Sequence, residues 1–206
     1  MTASLSFPTS DATIRDLHVG DAVLLNGIIV TARDSAHKWI FDRFITKKTL
    51  PTADDIKVYE NLKKYLNGSA IYHCGPVVSG LGSGKYQFVS AGPTTSMREE
   101  AYQSEIMRHF NLKAVIGKGG MGDRSLEGCA ETPAVYLHAI GGAAALLARS
   151  VQQVEDVLKL EFGVPEAMWI IRVVDFLAVV TMDAHKQSLH QKIRETSRAQ
   201  LDQLIR

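Results

Sequence analysis

The sequence lacks most features that would commit it to a special environment. Only two of its 206 residues are cysteines, Cys74 and Cys129, and they form no CxxC pair. That is too few for a disulfide framework, so a reducing, cytoplasmic setting is the expectation. No excess charge of one sign exists either: 23 Lys and Arg stand against 22 Asp and Glu, a net charge of +1. Such a balance gives no electrostatic footprint for nucleic acid or for an anionic membrane surface. No apolar run approaches the roughly 20 residues needed to span a bilayer. The N-terminus lacks the basic-then-apolar pattern of a signal peptide. There is no repeat with a period of about 20–50 residues. His109, His138 and His185 make no recognisable metal spacing, and no metal site is expected in this chain. Cys129 reads as a small buried hydrophobe.

What is present is enough apolar residue, 46%, to bury a core. The length suits one domain with appendages. Residues 1–18 read as a polar arm with little structure of its own. Ala22–Leu25 and Ile28–Thr31 read as two strands, joined by Asn26-Gly27 as a hairpin turn. A helix is expected from near Asp34, with Trp39, Ile40, Phe44 and Ile45 at helical spacing. After the break at Pro51, Ala53–Leu66 predicts an amphipathic helix closed by Asn67-Gly68. Ala70–Cys74 and Lys85–Ser90 read as strands. A helix is expected from an N-cap at Thr94 or Thr95 through to Phe110. Lys113–Ile116 reads as a strand, Asp123–Ala130 as a helix, and Ala143–Ala148 as a small-residue helix after Gly141-Gly142. Val151–Leu158 fits either an edge strand or a short helix. Trp169–Val174 and Leu177–Met182 read as two strands joined near Asp175-Phe176. The polar tail, residues 190–206, predicts an exposed helix. Without strict βαβ alternation, the expectation is a layered α/β domain with a mixed sheet rather than a doubly wound one.

The chemistry concentrates between Gly92 and Gly122. Two glycine-punctuated turns, Gly92-Pro93-Thr94-Thr95 and Gly117-Lys118-Gly119-Gly120, each offer backbone N–H groups and bring a cation. Arg98 follows Thr94 by four residues, so the two could share the first turn of a helix, where unpaired N–H groups favour an anion. An arginine there can grip a carboxylate through two parallel hydrogen bonds. Lys118 adds a point charge on a turn whose glycines allow close approach. Arg33 stands at a strand-to-helix turn, and His37, four residues on, is a possible acid–base group. His73 reads as a strand-end histidine with a satisfied hydrogen bond. Each feature alone also fits an ordinary cap, a solvated charge or a helix-surface histidine. Neither turn matches GxGxxG or GxxxxGK[ST].

Six stretches occur in an order that carries a resemblance. They are Thr31-Ala32-Arg33-Asp34-Ser35-Ala36-His37, Gly75-Pro76, Gly92-Pro93-Thr94-Thr95-Ser96-Met97-Arg98, Ile116-Gly117-Lys118-Gly119-Gly120-Met121-Gly122, Gly141-Gly142-Ala143-Ala144 and Met182-Asp183-Ala184-His185. The set resembles the β subunit of two-subunit class I fumarases and L-tartrate dehydratases, which is similar to the C-terminal domain of single-chain class I fumarases. The resemblance implies a swivelling β/β/α domain over residues 19–189. It implies a hydro-lyase interconverting fumarate and malate or dehydrating tartrate. It also implies a partner α subunit carrying a [4Fe-4S] cluster, in an α₂β₂ assembly. This chain's two cysteines cannot hold such a cluster alone. By the resemblance, Thr94 acts as base, with His37 in reserve as a proton relay. Arg33, Arg98 and Lys118 hold the carboxylates of a C4 dicarboxylate. The family continues Asp-x-His with glycine and asparagine, whereas Lys186-Gln187 follow His185 here, so the local turn is expected to differ. Two rival readings remain: a non-catalytic anion- or nucleotide-binding module, and a structural partner with vestigial clefts.

Overall fold

In the computed structural model, residues 2–205 are described; Met1 and Arg206, the ends of the expected arm and tail, lie outside them. The expected unstructured arm is instead part of the sheet. β1 (Ala3–Phe7) pairs in parallel with the first half of β2 (Ala22–Thr31), and α1 (Asp11–Arg15) follows, capped by Ser10. Leu5, Phe7 and Ile14 are buried, which repays the ordering of a segment that looks polar. Buried Lys113 ties α1 down from the far side, with Nζ 2.5 Å from Asp11 Oδ1.

The expected hairpin at Asn26-Gly27 does not form, and β2 runs straight through it. Gly27 has φ +106°, and a Cβ there would strike the Phe7 carbonyl of β1. The glycine serves a close approach of the paired strand β1 and a bulge against a later strand, not a reversal of the chain. β2 leads into α2 (Asp34–Ile40), which continues as one π-turn over Phe41–Ile45. α3 (Ala53–Leu66) matches the expected range, because its signals are local. Thr52 and Asp55 form a reciprocal capping box, with Asp55 N–H donating to Thr52 Oγ1 at 3.2 Å and Thr52 N–H to Asp55 Oδ2 at 2.9 Å.

Beyond it come β3 (Ala70–Tyr72), β4 (Val77–Ser79) and β5 (Gln87–Ser90). α4 (Gln103–Phe110), β6 (Ala114–Gly117), α5 (Asp123–Glu131), β7 (Val135–His138) and α6 (Ala144–Arg149) follow. β8 (Val151–Leu158) is a strand, β9 (Met168–Met182) is a single strand of 15 residues, and α7 (Leu189–Leu204) closes the chain. The two strands expected either side of Asp175-Phe176 are therefore one. Asp175 takes φ +50°, and its N–H donates to Asn26 Oδ1 at 3.1 Å, so a bend within one strand mimics a turn in the sequence.

β2, β3, β6 and β7 lie side by side in parallel, β7 pairs antiparallel with β9, and β9 returns antiparallel to β2. The five strands thus close into a ring of pairings, with β1 and β8 attached alongside. Side chains alternate across it. Tyr72, Ile116 and Leu137 join one core with Trp169 and Phe176; Ile71, Val115 and Tyr136 join another, packed under α2, α3, α4 and α5. The small hairpin β4–β5 leans on the ring through Tyr86 and Phe88, edge-on to the buried Trp169 at 5.1 and 5.9 Å. The mixed α/β architecture is as expected. No described helix is long and apolar enough to cross a membrane.

Candidate active site

The ends of the parallel strands β2, β3, β6 and β7 deliver the site residues. β2 ends at Thr31, and Arg33 is the N-cap of α2. The Arg33 guanidinium lies over Gly75, its Nη1 2.7 Å from where a Cβ would stand, and pairs with Glu166 at 3.0 Å. Glu166 also accepts the Ser35 N–H at 3.1 Å. Next to it, Asp34 holds Arg98, Oδ2 to Nε at 2.7 Å.

The helix expected from Thr94 begins later. Cys74 and Pro93 form an isolated β-bridge, and Thr94 N–H donates to the His73 carbonyl at 2.7 Å, so this segment is held extended against the end of β3. Only a 3-10 turn at Glu99–Ala101 precedes α4, and Met97, expected on an apolar face, is 83% exposed. Thr94 is therefore not a helix cap, and no helix N-terminus stands behind it. Its hydroxyl donates to the His73 carbonyl at 3.3 Å.

The glycine turn is also less open than its sequence suggests. Lys118 N–H donates to Thr95 Oγ1 at 3.1 Å, and Gly119 N–H to His138 Nδ1 at 3.3 Å. Gly122 and Ser125 N–H groups, at the start of α5, donate to the Glu100 carboxylate at 2.8 and 3.0 Å. Glu100 thus occupies the anion position that the helix offers. What the turn leaves exposed is Lys118 itself, which enters no ion pair among the described residues. Thr95, Ser96, Met97, Lys118, Gly119 and Gly120 help line an open cavity of about 250 Å³. Thr94 and Arg98 adjoin the lining residues Thr95 and Met97 in the chain without lining the cavity, and Arg33 does not line it. Two roomier hollows, about 470 and 540 Å³, run between β5 and β8; no expected site residue lines them.

Behind these loops lies a buried polar seam. His37 is fully buried: Nδ1 is 2.8 Å from the Arg33 carbonyl and Nε2 is 3.0 Å from the Gln103 side-chain amide. His73, also fully buried, meets the same amide at 2.8 Å through Nε2 and Thr95 Oγ1 at 3.0 Å through Nδ1. Glu99 Oε2 lies 3.5 Å from His73 Nδ1 and accepts the Ser96 N–H at 2.6 Å. Thr95 Oγ1 is 3.0 Å from Tyr136 Oη, which donates to the Lys118 carbonyl at 3.0 Å. Burial disfavours charge throughout. It pushes His73 down to about 3, lowers His37, and raises Glu99 to about 7. Burial also pushes the Cys74 thiol up to about 12, so it is no thiolate at neutral pH.

The structure thus brings Arg33 and Arg98 together through Asp34, and Thr94, Thr95 and Lys118 together through His73 and Tyr136. His37 lies against the Arg33 carbonyl and is sealed from solvent. Sequence reasoning missed Gln103, Glu99, Tyr136 and Glu166. One signal for Gln103 was available: it precedes Met107 by four residues and Phe110 by seven, on the buried face of α4. Among the described residues, no group of three or more His, Cys, Asp or Glu could hold a metal ion.

Fold and site together define an α/β protein that presents guanidiniums, threonine hydroxyls and a lysine on neighbouring loops at one end of a strand ring. The family model named Fumarase C-terminus matches residues 2–193, and the chain belongs to that family. It is 48% identical over 200 residues to a protein of Geobacillus stearothermophilus named "Putative fumarate hydratase class I". That match takes in 97% of this chain but 36% of the relative, so the chain spans about a third of that protein's length. It is 37% identical over 190 residues to the L(+)-tartrate dehydratase subunit beta of Escherichia coli (strain K12), covering 92% of this chain and 87% of that subunit. The lysine after His185 does not abolish the turn: Lys186 adopts φ +62°, donates its N–H to the Asp183 carbonyl at 3.3 Å and pairs with Glu127.

Proposed function

We propose that this chain is the β subunit of a class I fumarate hydratase, hydrating fumarate to (S)-malate reversibly together with an α subunit. The observation that carries the reading is the convergence, at one end of the ring, of Arg33, Thr94, Arg98 and Lys118 from three separate stretches of sequence. A C4 dicarboxylate needs two cationic grips, and these residues supply three charges. Glu166 and Asp34 pair with the two arginines, which keeps the guanidiniums oriented. Substrate carboxylates would compete with these two acids for the same donors. A [4Fe-4S] cluster on the α subunit would supply the Lewis acidity that draws off the hydroxyl. This chain's part is to bind, orient and exclude water, closing over the substrate as a swivelling domain.

Thr94 is the proposed base, taking the proton from the carbon beside a carboxylate. Its hydroxyl must first give its own proton to solvent water while the site is open, a cost that Lys118 and the two arginines would reduce by favouring negative charge nearby. His37 reaches the threonines only through Gln103 and His73, so its place in this scheme is behind Arg33. A symmetric α₂β₂ assembly in the cytoplasm fits the same reading. The second reading, L-tartrate dehydratase, has its own support: the chain matches nearly the whole of the E. coli β subunit. Fumarate leads on identity to the Geobacillus protein.

The test is co-expression with the neighbouring α chain and anaerobic assay with fumarate, malate and L-tartrate. Turnover of fumarate by the complex, and none by this chain alone, is the expected result. Full activity of the isolated chain without metal would overturn the proposal; preference for L-tartrate would move it to the second reading.

A further inference from the structure

We propose that Gln103 is a positioning residue whose amide nitrogen donates to Nε2 of both His37 and His73, locking the Arg33 loop to the Thr94–Thr95 turn. The argument is one of counting protons in a sealed seam. His37 Nδ1 faces the Arg33 carbonyl at 2.8 Å, and a carbonyl only accepts, so Nδ1 carries hydrogen. If the amide oxygen of Gln103 faced both Nε2 atoms, each would need hydrogen as well. His37 would then be an imidazolium, fully buried, with an amide and a carbonyl as its only hydrogen-bond partners. Burial opposes that charge. In the same orientation the Gln103 amide nitrogen is buried and has no partner at all.

Turning the amide over removes both faults. Its two N–H bonds then meet two imidazole acceptors, at 3.0 and 2.8 Å. Both histidines become neutral with hydrogen on Nδ1. His37 donates to the Arg33 carbonyl, and His73 donates to Thr95 Oγ1 at 3.0 Å. Thr95 Oγ1 also accepts from Lys118 N–H and passes its own hydrogen to Tyr136 Oη. Every hydrogen from Arg33 to Lys118 then has one direction. An unpaired amide oxygen replaces an unpaired NH₂, which costs less. His73 holds both threonines, Thr94 through its carbonyl and Thr95 through its ring. Among the described residues, Gln103 is the one side chain hydrogen-bonded to both imidazoles.

The experiment uses the full chain labelled with ¹⁵N-histidine at neutral pH. Long-range ¹H–¹⁵N spectra should show His37 and His73 neutral with hydrogen on Nδ1. Gln103→Glu, whose carboxylate can only accept, should put hydrogen on Nε2 of both: His73 becomes the Nε2 tautomer, and His37, whose Nδ1 still faces a carbonyl, becomes an imidazolium. Hydrogen on Nε2 of either histidine in the unaltered chain would overturn the proposal. Should the Glu variant fail to fold, Gln103→Met serves instead: both histidine signals should move, and an unchanged spectrum would overturn the proposal. The kinetic arm rests on the hydro-lyase reading. In the complex, Gln103→Met should lower kcat about 10–100-fold, the scale of a misplaced catalytic group, with a smaller change in KM. Unchanged kcat would overturn the positioning role. A complex without any hydro-lyase activity would overturn the functional reading alone, and the spectra would still decide the question of Gln103.

Discussion

The rim of the site and the seam beneath it are built on opposite principles. On the rim, Arg98 is 70% exposed at its side chain, Lys118 is exposed, and the charges are paired loosely or not at all. In the seam, His37, His73, Glu99 and Gln103 are all at most 1% exposed, and burial shifts each titratable group toward its neutral form. A rim charge works because water lets it change partners. A seam group works because it has one geometry only. The rim is built to meet something, and the seam to hold the rim still.

The sharpest way to break this contrast is at Gly117, where Thr95 Oγ1 and Tyr136 Oη fill the space a Cβ would need. Gly117→Ala should destabilise the chain by about 3 kcal/mol through overpacking, read by urea denaturation. The same change on an exposed rim glycine, Gly119→Ala, strains only a positive φ and should cost about 1 kcal/mol.

The next largest effect is a pH dependence. Glu99 is raised in the fold, so its contribution is complete below its ordinary 4.5 and is lost as pH rises through about 7. His73 is depressed, so its contribution is complete above 6.5 and is lost as pH falls toward about 3. Between 4.5 and 6.5 the two slopes oppose each other and cancel. Glu99→Gln removes one of them. Stability should then fall by about 1.4 kcal/mol per pH unit below 6.5, with His37 steepening the trend, and this is measurable by denaturation across pH.

On the rim the ranking of effects reverses. Arg98→Ala should cost under about 1 kcal/mol of stability, since its partner Asp34 is a surface acid. In the complex it should nevertheless cut kcat/KM by at least about 100-fold, as loss of a carboxylate grip does. A loss of stability larger than the loss of function would place Arg98 in the seam's class. The smallest effect is expected at Lys186, whose φ of +62° glycine would adopt more easily. Lys186→Gly should move stability by about 0.5 kcal/mol or less, because relief of strain offsets the added freedom of the unfolded chain and the lost Glu127 pair.

The same divide explains what could be read from the residues alone. α3 was legible because the signals that bound it, Pro51 at one end and Asn67-Gly68 at the other, each lie within two residues of the helix end they set. Asn26-Gly27 misled because Gly27 answers to Phe7, twenty positions away, and Asp175 misled because its positive φ serves Asn26 across the sheet. Arg98 and Lys118 stood out because charge beside a glycine-marked turn is a local signal, and Arg33 because it stands where a strand gives way to a helix. Gln103 and Glu99 did not, since a polar residue on a helix reads as surface unless its partners are known. Thr94 looked like a cap because the competing acceptor, the carbonyl of His73, lies on another strand.

β9 has a consequence for how this protein is made. It is the strand that closes the ring, touching β2 along one side and β7 and β8 along the other. It follows β2, β3, β6 and β7 in the sequence, so the edge of β2 that it covers waits unpaired until the other strands of the ring have been made. A nascent chain stalled before Met168 would present that bare edge to its neighbours, and clumping of such fragments is the hazard the cell must manage.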